Sequence, residues 1–447
     1  MTTKTSLPLL LLGAALAVPS LPAPIRAQAV GMTAEPWTPT LPPSRTLQRT
    51  PMATLPALPP PVGLPQLQNQ ISCPSLQQRL ARLIGSEAPV WSVSVADPSG
   101  RLLADVNGTR PRVPASNQKL LSTAFALDRL GPDFRLNTQL WRLSDGTLRL
   151  TGQGDPDLAV PHLQRFAKLA LASAGGAPGT AVKLQLAEEP AQGWWPQGWS
   201  YGDRSYAYGA PITRLAITSN AIEDAVSNPP SRLTTLLQRA LTQQGARAQL
   251  SLVAADAPMP RDAVLVHEEP STSMHGLLSL ANTESHNFTA EVLLRSAAGT
   301  WNVEDASRIA TVWLSGQGLP MQGVSIHDGS GLSRNDRLTS RLLVALLMRM
   351  DQHPYGRDYI ASMSIAGQRG TMRHLYNGTS LDGRLFGKTG TLTGVRAISG
   401  VLQTSDGPRY VSAISNGASS PNQTIGQIMR QVQVVSLCAE APLNPTN

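Results

Sequence analysis

Strand-like text stands at both ends of this chain, with helical text between, and that arrangement constrains the fold more than any other feature. Near the start, Val90-Trp91-Ser92-Val93-Ser94-Val95 alternates with period two, Asp97-Pro98-Ser99-Gly100 reads as a turn, and Arg101 to Val106 reads as the return strand. Near the end, GRLFGKTGTLT, VRAISGVLQT and RYVSAISNG follow one another, the last two separated by the turn Ser405-Asp406-Gly407. Antiparallel strands at the two ends of a domain complete one sheet when the intervening helices pack against it. The stretch from Gln423 to Val435, apolar at helical intervals, reads as a closing helix. Between Trp141 and Arg261 the texture changes: GTLRLTGQGDPDLAV, GTAVKLQLAEEP and ARAQLSLVAAD are strand-like and separated by helical pieces, which reads as an inserted, β-containing subdomain at 141–261. The fold class expected is α/β (α+β), with the main domain split into 71–140 and 262–440 and a tail at 441–447.

The N-terminal text bears on compartment. A lysine, an apolar stretch of roughly a dozen residues and Ala27-Gln28-Ala29 have the order of a secretory signal at 1–29, and the stretch is short for a membrane span. An uncleaved anchor is the alternative. No later stretch reaches the roughly 18 apolar residues of a spanning helix, so no stable membrane span is expected. Ten prolines between Pro36 and Pro65 make residues 30–70 a proline-rich linker of extended, semi-rigid character. The two cysteines, Cys73 and Cys438, flank nearly all of the text that reads as folded. A bridge between them contributes about 5 kcal/mol in the chain-entropy model, but the sequence leaves their pairing open.

The net charge of +8 suits an anionic partner. No lysine-arginine run points to nucleic acid, and for an exported chain an anionic cell wall is the better match. Only five of the 37 basic residues are lysines, namely Lys4, Lys119, Lys168, Lys183 and Lys388. Lysine can give up its proton and arginine cannot, so the places of these few matter. Lys388 follows Gly387 and precedes Thr389, like the end of a phosphate loop, but the glycine that such a loop needs five positions earlier is Asp382.

Lys119 lies in VPASNQKLLSTAFALDRLG, which reads as a helix from Pro114 to Leu130 stopped by Gly131. Ser116 and Lys119, three apart, project from one face of its first turn. A neutral lysine there can take the serine's proton, and the helix N-terminus favours a forming oxyanion. Ser285-His286-Asn287 falls in a connection between two helical segments, where side chains reach a cleft. Lys388-Thr389-Gly390 lies on a strand, where glycine lets a ligand backbone come close. The seven histidines show no His-Glu-x-x-His spacing, and Asp155 and Asp157 of GDPDL read as a turn, so neither a metal nor a cofactor is expected. Trp194, Trp195 and Trp199 fit a groove, a small core or an interdomain contact.

Ser-x-x-Lys, Ser-x-Asn and Lys-Thr-Gly, in that order on a helix start, a loop and a strand, resemble the serine penicillin-recognising enzymes. The stretches GQGDPDL, YAYGAPITRLAITSN, SIAGQRGTMRHLY and GRLFGKTGTLTGV, with the loop from Asp328 to Ser333, narrow the resemblance. It points to the D-alanyl-D-alanine carboxypeptidase/endopeptidase family of class C low-molecular-mass penicillin-binding proteins, and it runs from about Cys73 to about Cys438. It implies an antiparallel sheet flanked by helices with an all-helical subdomain. It also implies peptidoglycan stem peptides as substrates, β-lactam antibiotics as covalent inhibitors and a periplasmic location. By the same resemblance, Ser116 is the nucleophile and Lys119 its base, Ser285 relays a proton, and Asn287 holds the substrate and Lys119. Lys388, Thr389, Gly390 and Thr391 form the substrate side, with the amides of Ser116 and Thr391 as the oxyanion hole. His286 stands where relatives often have aspartate and is expected to point away from the cleft. The text between Ser116 and Ser285 is shorter than in many relatives, which leaves carboxypeptidase or endopeptidase preference open. A β-lactamase shares the three motifs but needs a dedicated water-activating base, and a silent scaffold has no need of all four catalytic side chains.

Overall fold

A computed structural model describes residues 65–434 and Cys438. The signal segment 1–29, all but the last six residues of the linker 30–70, and the tail 441–447 lie outside the described residues. Helix α1 (Pro74–Ile84) leads into the hairpin β1 (Trp91–Ala96) and β2 (Leu102–Val106), followed by α2 (Gln118–Leu130). Next come β3 (Asn137–Arg142), β4 (Leu148–Gly152), α3 (Val160–Ser173), β5 (Ala181–Glu188), α4 (Pro229–Gln243), β6 (Arg247–Ala254) and β7 (Val264–Pro270). Helices α5 (Met274–Asn282), α6 (Asn287–Ala298), α7 (Val303–Gly316), α8 (Ser340–Asp351) and α9 (Gly356–Ala361) then run without an intervening strand. The last elements among the described residues are β8 (Ser364–Ile365), β9 (Leu385–Leu392), β10 (Val395–Thr404), β11 (Gly407–Asn416) and α10 (Pro421–Gln433).

The two ends of the chain share one antiparallel sheet in the order β2-β1-β11-β10-β9-β8, with Trp91 opposite Ser415 and Ala96 opposite Tyr410. Period-two alternation explains why both faces are covered. On β10, Ala397 and Val401 enter the core of the helical side, while Ile398 and Leu402 face α1 and α10. On β11, Tyr410 and Ile414 go one way and Val411 and Ala413 the other. Cys73, at the entrance to α1, and Cys438, after α10, are disulfide-bonded with their Cα atoms 5.1 Å apart, which ties the outer helical layer together.

The second sheet has the order β6-β5-β4-β3-β7. Strands β4, β5 and β6 are parallel because α3 and α4 are the crossovers between them, while β3 runs antiparallel to β4 and β7. The sheet extends beyond the stretch 141–261 on both sides, since β3 begins at Asn137 and β7 ends at Pro270. The sequence concealed both flanking strands: β3 (NTQLWR) is largely polar and β7 (VLVHEEP) ends in charge. One face of this sheet packs on α3 and α4 through Leu148, Leu150, Leu184 and Leu186.

Candidate active site

Helix α2 runs through the middle of the helical core, with eleven of its thirteen residues buried. Its entrance differs from the sequence expectation. Ser116 sits on a 3-10 turn, Ala115–Asn117, and the α-helix begins only at Gln118. Ala115 adopts a left-handed φ of +48°, unusual for a residue with a side chain, so backbone strain is stored beside Ser116. Two glycines let neighbouring backbone approach this turn. A Cβ on Gly331 would stand 1.9 Å from the Ala115 carbonyl oxygen, and one on Gly390 would stand 2.7 Å from that of Pro114. At Gly390 the close neighbour is therefore the turn that carries Ser116.

The three motifs converge. Lys119, fully buried, places Nζ 2.9 Å from Ser116 Oγ, 2.6 Å from Asn287 Oδ1 and 2.7 Å from the Ser330 carbonyl oxygen. Asn287 opens α6, and its Nδ2 donates to the Tyr208 carbonyl at 2.7 Å. Lys388, also fully buried, donates to Ser285 Oγ at 2.8 Å and to the Thr389 carbonyl at 2.9 Å. Ser285 has a left-handed φ of +62°. Asn117 Nδ2 donates to the Lys388 carbonyl at 3.0 Å, so the serine-bearing turn and β9 are directly joined. Thr389 Oγ1 donates to Thr371 Oγ1 at 2.7 Å.

Burial sets the charges. Lys119 is pulled down to about 7 by desolvation, against the opposing pull of the Asp328 and Glu291 carboxylates. Lys388 is held well below its usual value by burial and by the charge of Lys119. Asp328, at the head of the glycine-serine loop, accepts from the amides of Gly331 and Ser333, both at 2.7 Å, and from Trp199 Nε1 at 2.8 Å. Trp199 is thus a core residue that holds this loop, whereas Trp194 and Trp195 line a separate cleft of about 1240 Å³. Asp155 accepts the amide of Asp157 at 2.9 Å, which makes GDPDL an Asx turn.

Ser116, Ser285, Asn287, Thr389, Gly390 and Thr391 line one open cleft of about 990 Å³. Strand β8 pairs with β9 only at Phe386 and Gly387, so the edge of β9 from Lys388 onward borders the cleft without a strand partner. An extended peptide can add to such an edge. Tyr208, Asp203, Arg334 and Thr371 also line the cleft. Their positions lie in stretches that carried the resemblance or next to them, but nothing in their local pattern assigned them a role. His286 is absent from the cleft wall. Its Nδ1 lies 2.7 Å from Thr289 Oγ1 in the first turn of α6, and its pKa is pushed down to about 4 by burial and by Lys119.

The D-Ala-D-Ala carboxypeptidase 3 (S13) family model matches residues 76–232 and 222–436. The D-alanyl-D-alanine carboxypeptidase of Actinomadura sp. (strain R39) is 26% identical over 439 residues, covering 75% of this chain and 79% of its own length. Penicillin binding protein 4 (dacB) from Haemophilus influenzae has the same fold, with a TM-score of 0.68 and 18% identity over 79% of this chain and 98% of its own. The penicillin G acylated Bd3459 predatory endopeptidase from Bdellovibrio bacteriovorus, in complex with immunity protein Bd3460, aligns with a TM-score of 0.51. It is 18% identical over 78% of this chain and 92% of its own. Three motifs meeting in one cleft and a family match that extends from residue 76 to residue 436 lead to one conclusion: the chain belongs to the D-Ala-D-Ala carboxypeptidase 3 (S13) family and is a serine-type carboxypeptidase.

Proposed function

We propose that Ser116 is the nucleophile of a D,D-peptidase acting on the D-Ala-D-Ala ends of peptidoglycan stem peptides. Ser116 Oγ attacks the carbonyl carbon of the scissile amide, and its proton passes to the neutral amine of Lys119. The forming oxyanion lies between the amides of Ser116 and Thr391. Collapse breaks the C–N bond, and the leaving D-alanine nitrogen takes a proton through Ser285, which Lys388 touches. Water then cleaves the ester to release the shortened peptide. Lys388 and Thr389 hold the substrate's terminal carboxylate, Gly390 keeps the strand close to the nucleophile turn, and Asn287 orients both Lys119 and the substrate amide. A D,D-endopeptidase reaction on cross-linked stems uses the same groups.

The observation that carries this reading is the chain of contacts from Ser116 through Lys119 to Asn287, beside a second buried lysine bonded to Ser285. β-Lactams, which mimic the D-Ala-D-Ala end, acylate Ser116 in the same way. A substrate in the cell wall supports a location outside the cytoplasmic membrane; among the described residues no helix is long and apolar enough to cross a membrane. The test is mass spectrometry of the protein after incubation with benzylpenicillin, with peptide mapping of the adduct. A lasting adduct on Ser116, absent in Ser116→Ala, is expected; hydrolysis of D-Ala-D-Ala peptides that survives Ser116→Ala would overturn the mechanism.

A further inference from the structure

Asn287, Glu291 and Arg295 lie four residues apart on α6 and therefore form one stripe along its buried face. Asn287 reaches Lys119 directly. Glu291, fully buried, accepts the amides of Gly329 at 2.8 Å and Ser330 at 2.9 Å on Oε1. Arg295, 1% exposed, donates from Nη1 to Glu291 Oε2 at 2.6 Å and from Nε to the Trp301 carbonyl at 3.2 Å. Burial and the neighbouring Asp328 carboxylate raise the proton affinity of Glu291, but every hydrogen-bond partner of its carboxyl is a donor aimed at it and Arg295 supplies a full charge, which together favour the carboxylate form. The peptide that Glu291 holds by its amides ends in the Ser330 carbonyl, which receives Lys119 Nζ at 2.7 Å.

A neutral amine has two N–H bonds and one lone pair. Around Lys119 Nζ, Asn287 Oδ1 and the Ser330 carbonyl oxygen can only accept, so they take the two N–H bonds. The remaining direction belongs to Ser116 Oγ at 2.9 Å, and the lone pair lies there. With Cε and Asn287 fixing two of the four directions at Nζ, the second N–H and the lone pair could still exchange places. The Ser330 carbonyl takes the second N–H and so removes that choice, and Glu291 holds this acceptor in place.

Resting on the reading of Lys119 as the base, we infer that Glu291, anchored by Arg295, is a positioning residue. By clamping the Gly329–Ser330 amides, it directs the lone pair of Lys119 at the hydroxyl of Ser116. Glu291 never touches the substrate, and its ion pair with Arg295 is a buried pair whose rupture leaves an uncompensated charge. The titratable and charged groups around Lys119 are Asp328 from the glycine-serine loop, coupled to Asp336, Glu291 with Arg295 from α6, Lys388 from β9, and His286 at the entrance to α6; of these, Asp328 and Glu291 act on Lys119, and Lys119 acts on Lys388 and His286. Glu291 is one of two that raise the proton affinity of Lys119, and removing its charge therefore lowers that affinity.

The experiment compares wild type, Glu291→Gln and the charge-free double variant Glu291→Gln with Arg295→Gln. Benzylpenicillin acylation rates are measured by mass spectrometry across pH 5 to 9, with melting curves as the folding control. The expected result is a plateau rate about 10- to 100-fold lower, from loss of orientation, together with an acid limb displaced to lower pH. A role confined to stability would leave the limb in place. A folded variant with the wild-type plateau and limb overturns the proposal. So does failure of both variants to fold, which assigns the pair to stability alone. Absence of a Ser116 adduct in the wild type would overturn the reading of the site itself, and so the two failures are distinguishable.

Discussion

Lys119 and Lys388 are both completely buried and both near a serine hydroxyl, yet the proposed mechanism gives the two amines opposite tasks. Lys119 is surrounded by oxygens: a carboxamide, a carbonyl and a hydroxyl in contact, and the carboxylates of Asp328 and Glu291 beyond them. These offset enough of the desolvation cost to leave its pKa near 7, where an amine is half neutral at physiological pH and still basic enough to remove a proton. Lys388 has one hydroxyl, one carbonyl and no buried carboxylate. Only the exposed Glu284 favours its charge, while Lys119 opposes it. Its charge is therefore incompletely compensated until an anion arrives. Burial weakens an amine as a base; the placement of oxygens around it decides whether it serves as a catalyst or as a receptor.

The strongest way to break this comparison is to remove the base. Lys119→Met should lower the acylation rate of Ser116 by about 10⁴-fold, the upper range for a positioned general base, with little change in the affinity of the first encounter. Acylation rates against β-lactam concentration separate the two. A loss below tenfold would mean that another group takes the proton. Lys388→Met should reduce kcat/KM on D-Ala-D-Ala peptides by about 10²-fold, because it removes a charge-assisted bond to the carboxylate. The sharper readout is discrimination: wild type should prefer a free carboxylate terminus over the corresponding amide, and Lys388→Met should process both at similar rates.

The pH profile separates the lysines without mutation. In the proposed mechanism Lys119 is a base only when neutral, so acylation should rise with pH through about 7 and fall nearly tenfold for each pH unit below it. In the same mechanism Lys388 captures a carboxylate only when protonated, and its proton affinity is already depressed, so KM for carboxylate-ended substrates should increase as pH rises. An amide-ended substrate should show the first limb and lack the second. Identical profiles for both substrates would remove the distinction between the two amines.

Much of this was legible in the sequence, for reasons that differ by element. Five strands of the six-stranded sheet, β1, β2, β9, β10 and β11, were readable because short strand-like runs bounded by turn residues mark them. The motifs were readable because chemistry demands specific side chains. What escaped is what depends on backbone placement. The 3-10 entrance before α2 and the left-handed Ala115 follow from packing against Gly331 and Gly390, neither of which is near Ala115 in sequence. The parallel pairing of β4, β5 and β6 follows from two crossover helices, which the strand text alone does not specify. The acceptor that Ser330 offers to Lys119 is a carbonyl, a group that every residue carries, and no residue type could have announced it.

Trp199 gives the smallest effect, and it tests how far the oxygen environment of Lys119 depends on distant support. Sequence reading left this tryptophan open between a groove, a core and an interdomain contact. It is 3% exposed, and its indole nitrogen donates to Asp328, the other carboxylate that favours the charge of Lys119. Trp199→Phe keeps an aromatic ring in the core but removes that donor and leaves space where the larger indole packed, which adds to the stability loss. Asp328 still accepts from the amides of Gly331 and Ser333, so its position should hold. Losing one hydrogen bond to a buried charged group should lower stability by about 1.5–3 kcal/mol in denaturant unfolding. With the loop held in place, the oxygens around Lys119 should stay where they are. The acid limb of acylation should therefore remain near pH 7, with less than a tenfold change in the plateau. A plateau loss as large as that of Lys119→Met would show that the loop moves as a whole and that the lysine's surroundings are far less rigid than their hydrogen bonds imply.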